Sequence, residues 1–438
     1  VTFRKHFYRH RGITIIQKRD PSLARIRRSK VAVVLAGGAI SGGAFKVGGL
    51  RALDEAFAHR RSPGGMATPF SLVDADIFVG LSAGSVLATV LAAGISPDEV
   101  LRIVMGTSKI YEPFRALEYM APNLGSLGSR VLSMLRSEEA LFTNWLSGAT
   151  DPERVASFDL RKTLLKMIAT LPRGLPTGLF TTERLGAYLR RNGERAGVTD
   201  DFAGEYARTG KELMLTACDV NRGEIIVFGH DEPYGRVPIS DAVRASCALP
   251  GWYAPVRIRN PRAGEPFEPA HLDLVDGGLM RTANVRVAVE KGADLVVCYN
   301  PFTRIRYERE GRSLVDHGPA ALASQLFRIL LGARLDLAKE LIYRDETIDA
   351  DVVFIEPAED DYEFFRMNPM RHSNQERAAT HGYRVIRAGI LANHERLTEI
   401  FATHGLVLRE PASEAARSWQ GIELGPHDLR ESRTIRKV

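Results

Sequence analysis

The segment Gly80-Leu81-Ser82-Ala83-Gly84 constrains this chain more than any other. It stands between a short run with the composition of a buried strand, residues 76–79, and a run of small and apolar residues, 85–93, that suits a buried helix. A serine between two such elements sits on a sharp strand-to-helix turn with its hydroxyl exposed. The flanking glycines let neighbouring backbone pass where a Cβ would clash. The helix start behind the serine favours developing negative charge. Ser82 is therefore a candidate nucleophile; the competing reading is a glycine-rich turn with an incidental serine. Residues 77–95 are also uncharged over the length of a membrane-spanning helix. Gly80, Gly84 and Gly94 together with Ser82, Ser85 and Thr89 fit a strand, a turn and a buried helix better.

A similar unit precedes this one. Val31–Leu35 reads as a buried strand, residues 37–43 as a glycine-dense loop, and residues 44–58 as a helix with Phe45, Val47, Leu50, Leu53 and Phe57 on one face. Backbone amides in such a loop can cradle a phosphate or an oxyanion. The loop is not a P-loop and does not spell G-x-G-x-x-G, so ATP or NAD binding is not expected. One unit ahead of the serine turn, Gly37, Gly38, Gly42 and Gly43 are better read as an oxyanion hole.

Downstream, Ser96, Pro97 and Glu99 open a helix with a capping box. Residues 110–210 carry mixed charge and turn residues, and read as a largely helical insertion or lid. Strands are predicted at 213–217 and 224–228 around the turn Asn221-Arg222-Gly223, and at 271–275, 294–299 and 351–355. Helices are predicted at 240–247, 285–291, 320–341 and from Ser373 to about His404. Alternating strands and helices imply an α/β fold of three α/β/α layers with a mainly parallel central sheet. The reading divides the chain into a basic N-terminal arm, 1–30, a catalytic domain, 31–405, and a polar C-terminal tail, 406–438.

The formal net charge of +6 is concentrated in the arm, where Arg4, Lys5, Arg9, Arg11, Lys18, Arg19, Arg25, Arg27, Arg28 and Lys30 face only Asp20. A solvated arm and docking on anionic lipid are both consistent with this. No nucleic-acid partner is expected. Cys218, Cys247 and Cys298 offer neither a disulfide framework nor a metal pair, and no apolar signal core follows the basic start. The expected location is cytoplasmic with peripheral membrane contact, and neither metal nor cofactor is expected.

Asp276-Gly277-Gly278 follows the strand at 271–275, and taken alone it is an ordinary turn. Together with the glycine loop and the serine turn, in that order, it resembles the patatin-like phospholipase family. Segments 31–35, 43–50, 243–251 and 292–294, and His381-Gly382-Tyr383, resemble further family segments. The resemblance implies a lipid acyl hydrolase with a Ser–Asp dyad, in which Ser82 attacks the ester and Asp276 serves as base. Gly80, Gly84, Gly277 and Gly278 would support the two turns. The substrate implied is a lipid or other fatty-acyl ester. The chain departs from the family where Ala39 replaces a glycine, where Ser41 or Gly42 stands in place of a basic residue, and where Arg286 replaces a proline. Two rivals stay open: a histidine base drawn from His317, His372, His381, His394 or His404, and a non-catalytic lipid-binding scaffold on the same fold.

Overall fold

A computed structural model describes residues 6–19, 28–61, 65–123, 177–307, 313–367 and 372–410. Its centre is a ten-stranded sheet. In chain order the strands are β1 (His6–His10), β2 (Ile13–Gln17), β3 (Val31–Leu35), β4 (Ile77–Leu81), β5 (Glu212–Asp219), β6 (Glu224–Phe228), β7 (Val256–Arg259), β8 (His271–Asp276), β9 (Leu295–Tyr299) and β10 (Asp351–Ile355). Across the sheet they run β1-β2-β10-β9-β3-β4-β5-β8-β7, with β6 paired to β5.

The sheet is mixed, which corrects the mainly parallel expectation. Strands β10, β9, β3, β4 and β5 are parallel neighbours. The hairpin β1–β2 on one side and β8, β7 and β6 on the other pair antiparallel. The parallel strands read as continuous Val, Ile and Leu runs because both of their faces are covered. Alternate residues of β3 confirm this. Val31, Val33 and Leu35 join one apolar cluster, and Ala32 and Val34 join another.

Helices α1 (Ala39–Ala56), α2 (Ala83–Ala92) and α8 (Gln375–Ala392) supply the first cluster with Phe45, Leu50, Leu87, Leu91 and Ile386. Helices α6 (Val285–Glu290) and α7 (Pro319–Arg344) supply the second with Val285, Val287, Leu335 and Ile342. Helices α1 and α8 cross with their backbones touching: a Cβ at Gly48 would lie 1.8 Å from the Ala379 carbonyl, and one at Gly382 would lie 2.1 Å from that of Phe45. Further helices are α3 (Pro97–Met105), α4 (Glu183–Ala196) and α5 (Ile239–Ser246).

Three sequence boundaries move. Residues 6–17, placed in the basic N-terminal arm, form a hairpin in the sheet, because Ile13, Ile15 and Ile16 are buried against β10. Four of the arm's described cations are engaged in the domain: Arg9 pairs with Glu359 at 2.9 Å, Arg28 with Asp76 at 2.7 Å, Arg19 with Asp294, and Lys18 donates to the Ile342 carbonyl at 2.8 Å. At the other end, Leu406–Leu408 is a strand paired with Phe57–Arg61, so the tail starts later than residue 406 and the helix predicted at 44–58 ends earlier. The long helix after Ser373 breaks at Asn393. Within the insertion, 177–210 is mostly helical, and 124–176 lies outside the described residues.

Candidate active site

Register brings the two distant motifs level. Leu81 of β4 pairs with Thr216 of β5, and Asp276 of β8 pairs with Ala217, the next residue along β5. Ser82, one past the end of β4, therefore stands level with Asp276 across a single strand.

Ser82 has φ 54° and ψ −132°, a backbone conformation that costs an L-residue about 1–3 kcal/mol. Neighbouring groups hold it there. Its amide donates to Ser246 Oγ at 2.8 Å, and that hydroxyl donates to the Thr216 carbonyl at 2.7 Å. The Ser85 amide and hydroxyl donate to the Ser82 carbonyl at 2.8 and 2.6 Å. A Cβ at Gly80 would sit 2.5 Å from Ser85 Cα, and one at Gly84 would sit 2.1 Å from the Leu35 carbonyl oxygen. The flanking glycines are thus required by close backbone approach on both sides of the serine.

Asp276 is the last residue of β8. Its amide donates to the Ala248 carbonyl at 3.0 Å, and its carboxylate accepts from the Gly278 amide at 2.8 Å. Gly277–Leu279 forms a single 3₁₀ turn without positive φ, so Gly277 and Gly278 serve space more than conformation. A Cβ at Gly278 would press on Asp276 Oδ1 at 3.1 Å. Asp276 shares a narrow cleft with Ser82, Gly37 and Leu249. Burial raises its carboxyl to about 6, against the opposing pull of a hydrogen bond from the Ser82 side chain, the Gly278 amide and the charge of Lys46. Such a carboxylate is ionised at neutral pH and basic enough to take a hydroxyl proton.

The glycine loop is shorter than its sequence suggests. Helix α1 starts at Ala39, so Gly42 and Gly43 lie inside it, and the Gly42 amide donates to the Gly38 carbonyl at 2.9 Å. These two are corrected from oxyanion donors to helix residues. Gly37 and Gly38 keep amides free of intramolecular acceptors among the described residues. The open side of Gly37 faces Ser82, since a Cβ there would lie 3.8 Å from Ser82 Oγ. Ala39, where a glycine was expected, takes φ 48° at the helix start.

No histidine lines this cleft among the described residues. His381 bonds Asp361 at 2.7 Å and Glu363 at 3.1 Å, His404 bonds Asp351 at 2.9 Å, and His394 bonds the Arg409 carbonyl at 3.0 Å. The side chains of His317 and His372 lie outside the described ones. Cys247 packs on Ser85, and burial pushes its thiol up to about 12, which makes it inert as a nucleophile. Among the described residues the one His/Asp/Glu grouping with metal-ligand spacing, Glu212, His230 and Asp231, stands at the opposite end of β5, with Lys291 ion-paired to Asp231.

From Ser82 an apolar cavity of about 360 Å³ runs between α2, α3 and the insertion, lined by Val86, Val90, Val104, Phe114, Leu185 and Tyr253 among others. The parts of the insertion that are described thus wall the cavity rather than stand apart from it. Sequence reasoning did not assign roles to Ser246 and Ala248, which tie down Ser82 and Asp276. The available signal was the uncharged small-residue run 245–251, which resembled a family segment without stating a purpose.

VipD from Legionella pneumophila is similar at 16% identity and a TM-score of 0.34, over 89% of this chain and 70% of that one. Human GIVD cytosolic phospholipase A2 is similar at 12% identity and a TM-score of 0.40, over 86% of this chain and 60% of that one. ExoU of the Pseudomonas aeruginosa type III secretion system, in a complex with SpcU, is similar at 18% identity and a TM-score of 0.26, over 90% of this chain and 64% of that one. A family model described as patatin-like phospholipase matches residues 33–289, more than half of the sequence and a span that holds both Ser82 and Asp276, so the chain belongs to the patatin-like phospholipase family.

Proposed function

We propose that this protein hydrolyses fatty-acyl esters of lipids through a Ser82–Asp276 dyad and an acyl-enzyme. Asp276 removes the Ser82 proton as Oγ attacks the ester carbonyl. The Gly37 and Gly38 amides receive the oxyanion of the tetrahedral intermediate. Its collapse breaks the ester bond, and Asp276 returns the proton to the departing alcohol. Water, deprotonated by the same carboxylate, then releases the fatty acid from Ser82.

The observation that carries this reading is Ser82 sharing one cleft with the buried carboxylate of Asp276, at the end of an apolar cavity. The cavity favours an acyl chain over a polar substituent, because its lining offers few polar groups to compensate a desolvated one. Among the described residues no helix is long and apolar enough to cross a membrane, so contact with lipid is proposed to be peripheral. A cytoplasmic location follows from the sparse cysteines and stands as part of the same proposal.

The test is fluorophosphonate labelling together with hydrolysis of a panel of fatty-acyl esters. Labelling and turnover are expected in the wild type and lost in Ser82→Ala, with turnover lost in Asp276→Asn. Near-wild-type turnover in either variant refutes the dyad. A wild type that neither labels nor turns over with any lipid supports the scaffold reading.

A further inference from the structure

The loop facing Ser82 carries no cation of its own between Gly37 and Gly43, yet a charged side chain lies behind it. Lys46 projects from α1 with no solvent exposure. Its Nζ donates to the Ala36 carbonyl and, at 3.3 Å, to the Gly37 carbonyl. Burying an ammonium is costly, and a methionine of similar length would fill the space without that cost. Packing therefore does not account for the charge.

Peptide planarity suggests what does. In a trans peptide the C=O and the following N–H point in opposite directions. Fixing the Ala36 carbonyl on the lysine turns the Gly37 amide away from it, and fixing the Gly37 carbonyl does the same for the Gly38 amide. Lys46 is not part of the cleft lining, whereas Gly37 is, along with Ser82 and Asp276. Left alone, a Gly–Gly peptide flips cheaply because neither residue has a Cβ. A flip would present a carbonyl where negative charge develops.

Accepting Ser82 as the nucleophile, we propose that Lys46 is the positioning residue of the oxyanion loop, clamping two consecutive carbonyls so that the Gly37 and Gly38 amides face the reacting carbonyl. A second effect follows from the same placement. Lys46 and Asp276 sense each other's charge, and burial lowers the lysine to about 7. The other titratable groups facing Lys46 are the Cys247 and Cys298 thiols, and burial keeps both protonated at neutral pH.

The experiment compares wild type, Lys46→Met and Lys46→Gln in the full chain. It measures the rate of Ser82 phosphonylation by a fluorophosphonate, kcat and KM on a soluble short-chain ester, and the pH profile of kcat/KM. Lys46→Met is expected to lower phosphonylation and kcat by about 10²–10³-fold, the size of losing an oxyanion donor, with KM changed less than about threefold. Lys46→Gln, neutral but still a donor, is expected to recover at least about tenfold of that loss. In both variants the acid limb of the profile moves to higher pH, since removing the positive charge raises Asp276 further. A lysine with a purely structural role would alter stability and leave that limb in place. A folded Lys46→Met variant with phosphonylation and kcat within about twofold of wild type overturns the inference. If Lys46→Met does not fold, Lys46→Gln decides, and an unmoved acid limb overturns it. A wild type that is not phosphonylated refutes the dyad beneath the inference, which is a separate outcome from labelled variants that match the wild type.

Discussion

Replacing Asp276 by asparagine should separate activity from stability. The carboxyl rises from its ordinary 3.8 to about 6 in the folded protein because it is desolvated. A buried acid whose folded value lies above its unfolded value binds more protons folded than unfolded between those two values. Its contribution is therefore present below pH 3.8 and lost as pH rises through 6. At about 1.4 kcal/mol for each tenfold change, ionised Asp276 costs the native state about 3 kcal/mol at neutral pH, and about half of that loss falls between pH 5 and 8. Asparagine has nearly the same shape, keeps an acceptor for the Gly278 amide and removes the ionisation. Urea unfolding of both proteins at pH 5 and pH 8 reads the difference. The variant should be inactive, more stable than wild type at pH 8 by up to about 3 kcal/mol, and closer to it at pH 5. Equal or lower stability of the variant at pH 8, with the same pH dependence, would refute a desolvated base at this position.

Three further outcomes are expected. Gly84→Ala should cost about 1–3 kcal/mol or more in thermal or urea unfolding and sharply lower kcat, because its Cβ meets the Leu35 and Ala36 carbonyls at 2.1 and 2.6 Å, backbone that leads into the proposed oxyanion loop. His381→Ala should lose about 1–3 kcal/mol by leaving Asp361 under-satisfied, yet keep kcat within a few-fold; loss of activity in a folded variant would revive a histidine base. Val90→Phe, which fills the cavity two turns beyond Ser82, should lower kcat/KM on a long-chain ester at least about tenfold while sparing a short-chain one, and equal effects on both would place the acyl chain elsewhere.

Much of the site was legible because its chemistry is local. The Ser82 turn needs a strand, two small flanking residues and a helix, and all three leave a pattern within fifteen residues or so of sequence. Asp276 was legible only through resemblance. Its partner is distant in the chain, and the register that levels it with Ser82 runs through β5, whose pairing no local pattern reveals. The oxyanion loop was over-read for a related reason. Gly42 and Gly43 look like loop residues, but α1 starts at Ala39 and the Gly42 amide bonds the Gly38 carbonyl, so the helix forms despite their weak helix propensity. The basic N-terminal segment misled in the opposite direction, since its charge hid the isoleucines of β2. The antiparallel flanks escaped notice because alternation of strands and helices says nothing about strands added at a sheet's edge.

The hairpin β1–β2 has a consequence for how this sheet is assembled. Ile13 pairs with Ile355, and the parallel strands separating β2 from β4 come from both ends of the chain. Of the sheet's strands these two are made first, and they must wait, with their isoleucines uncovered, until β10 has been made. Topologies of this kind fold slowly and expose sticky edges while they do so. A deletion that removes β1 and β2 is thus an intervention in the last closing step of the central sheet.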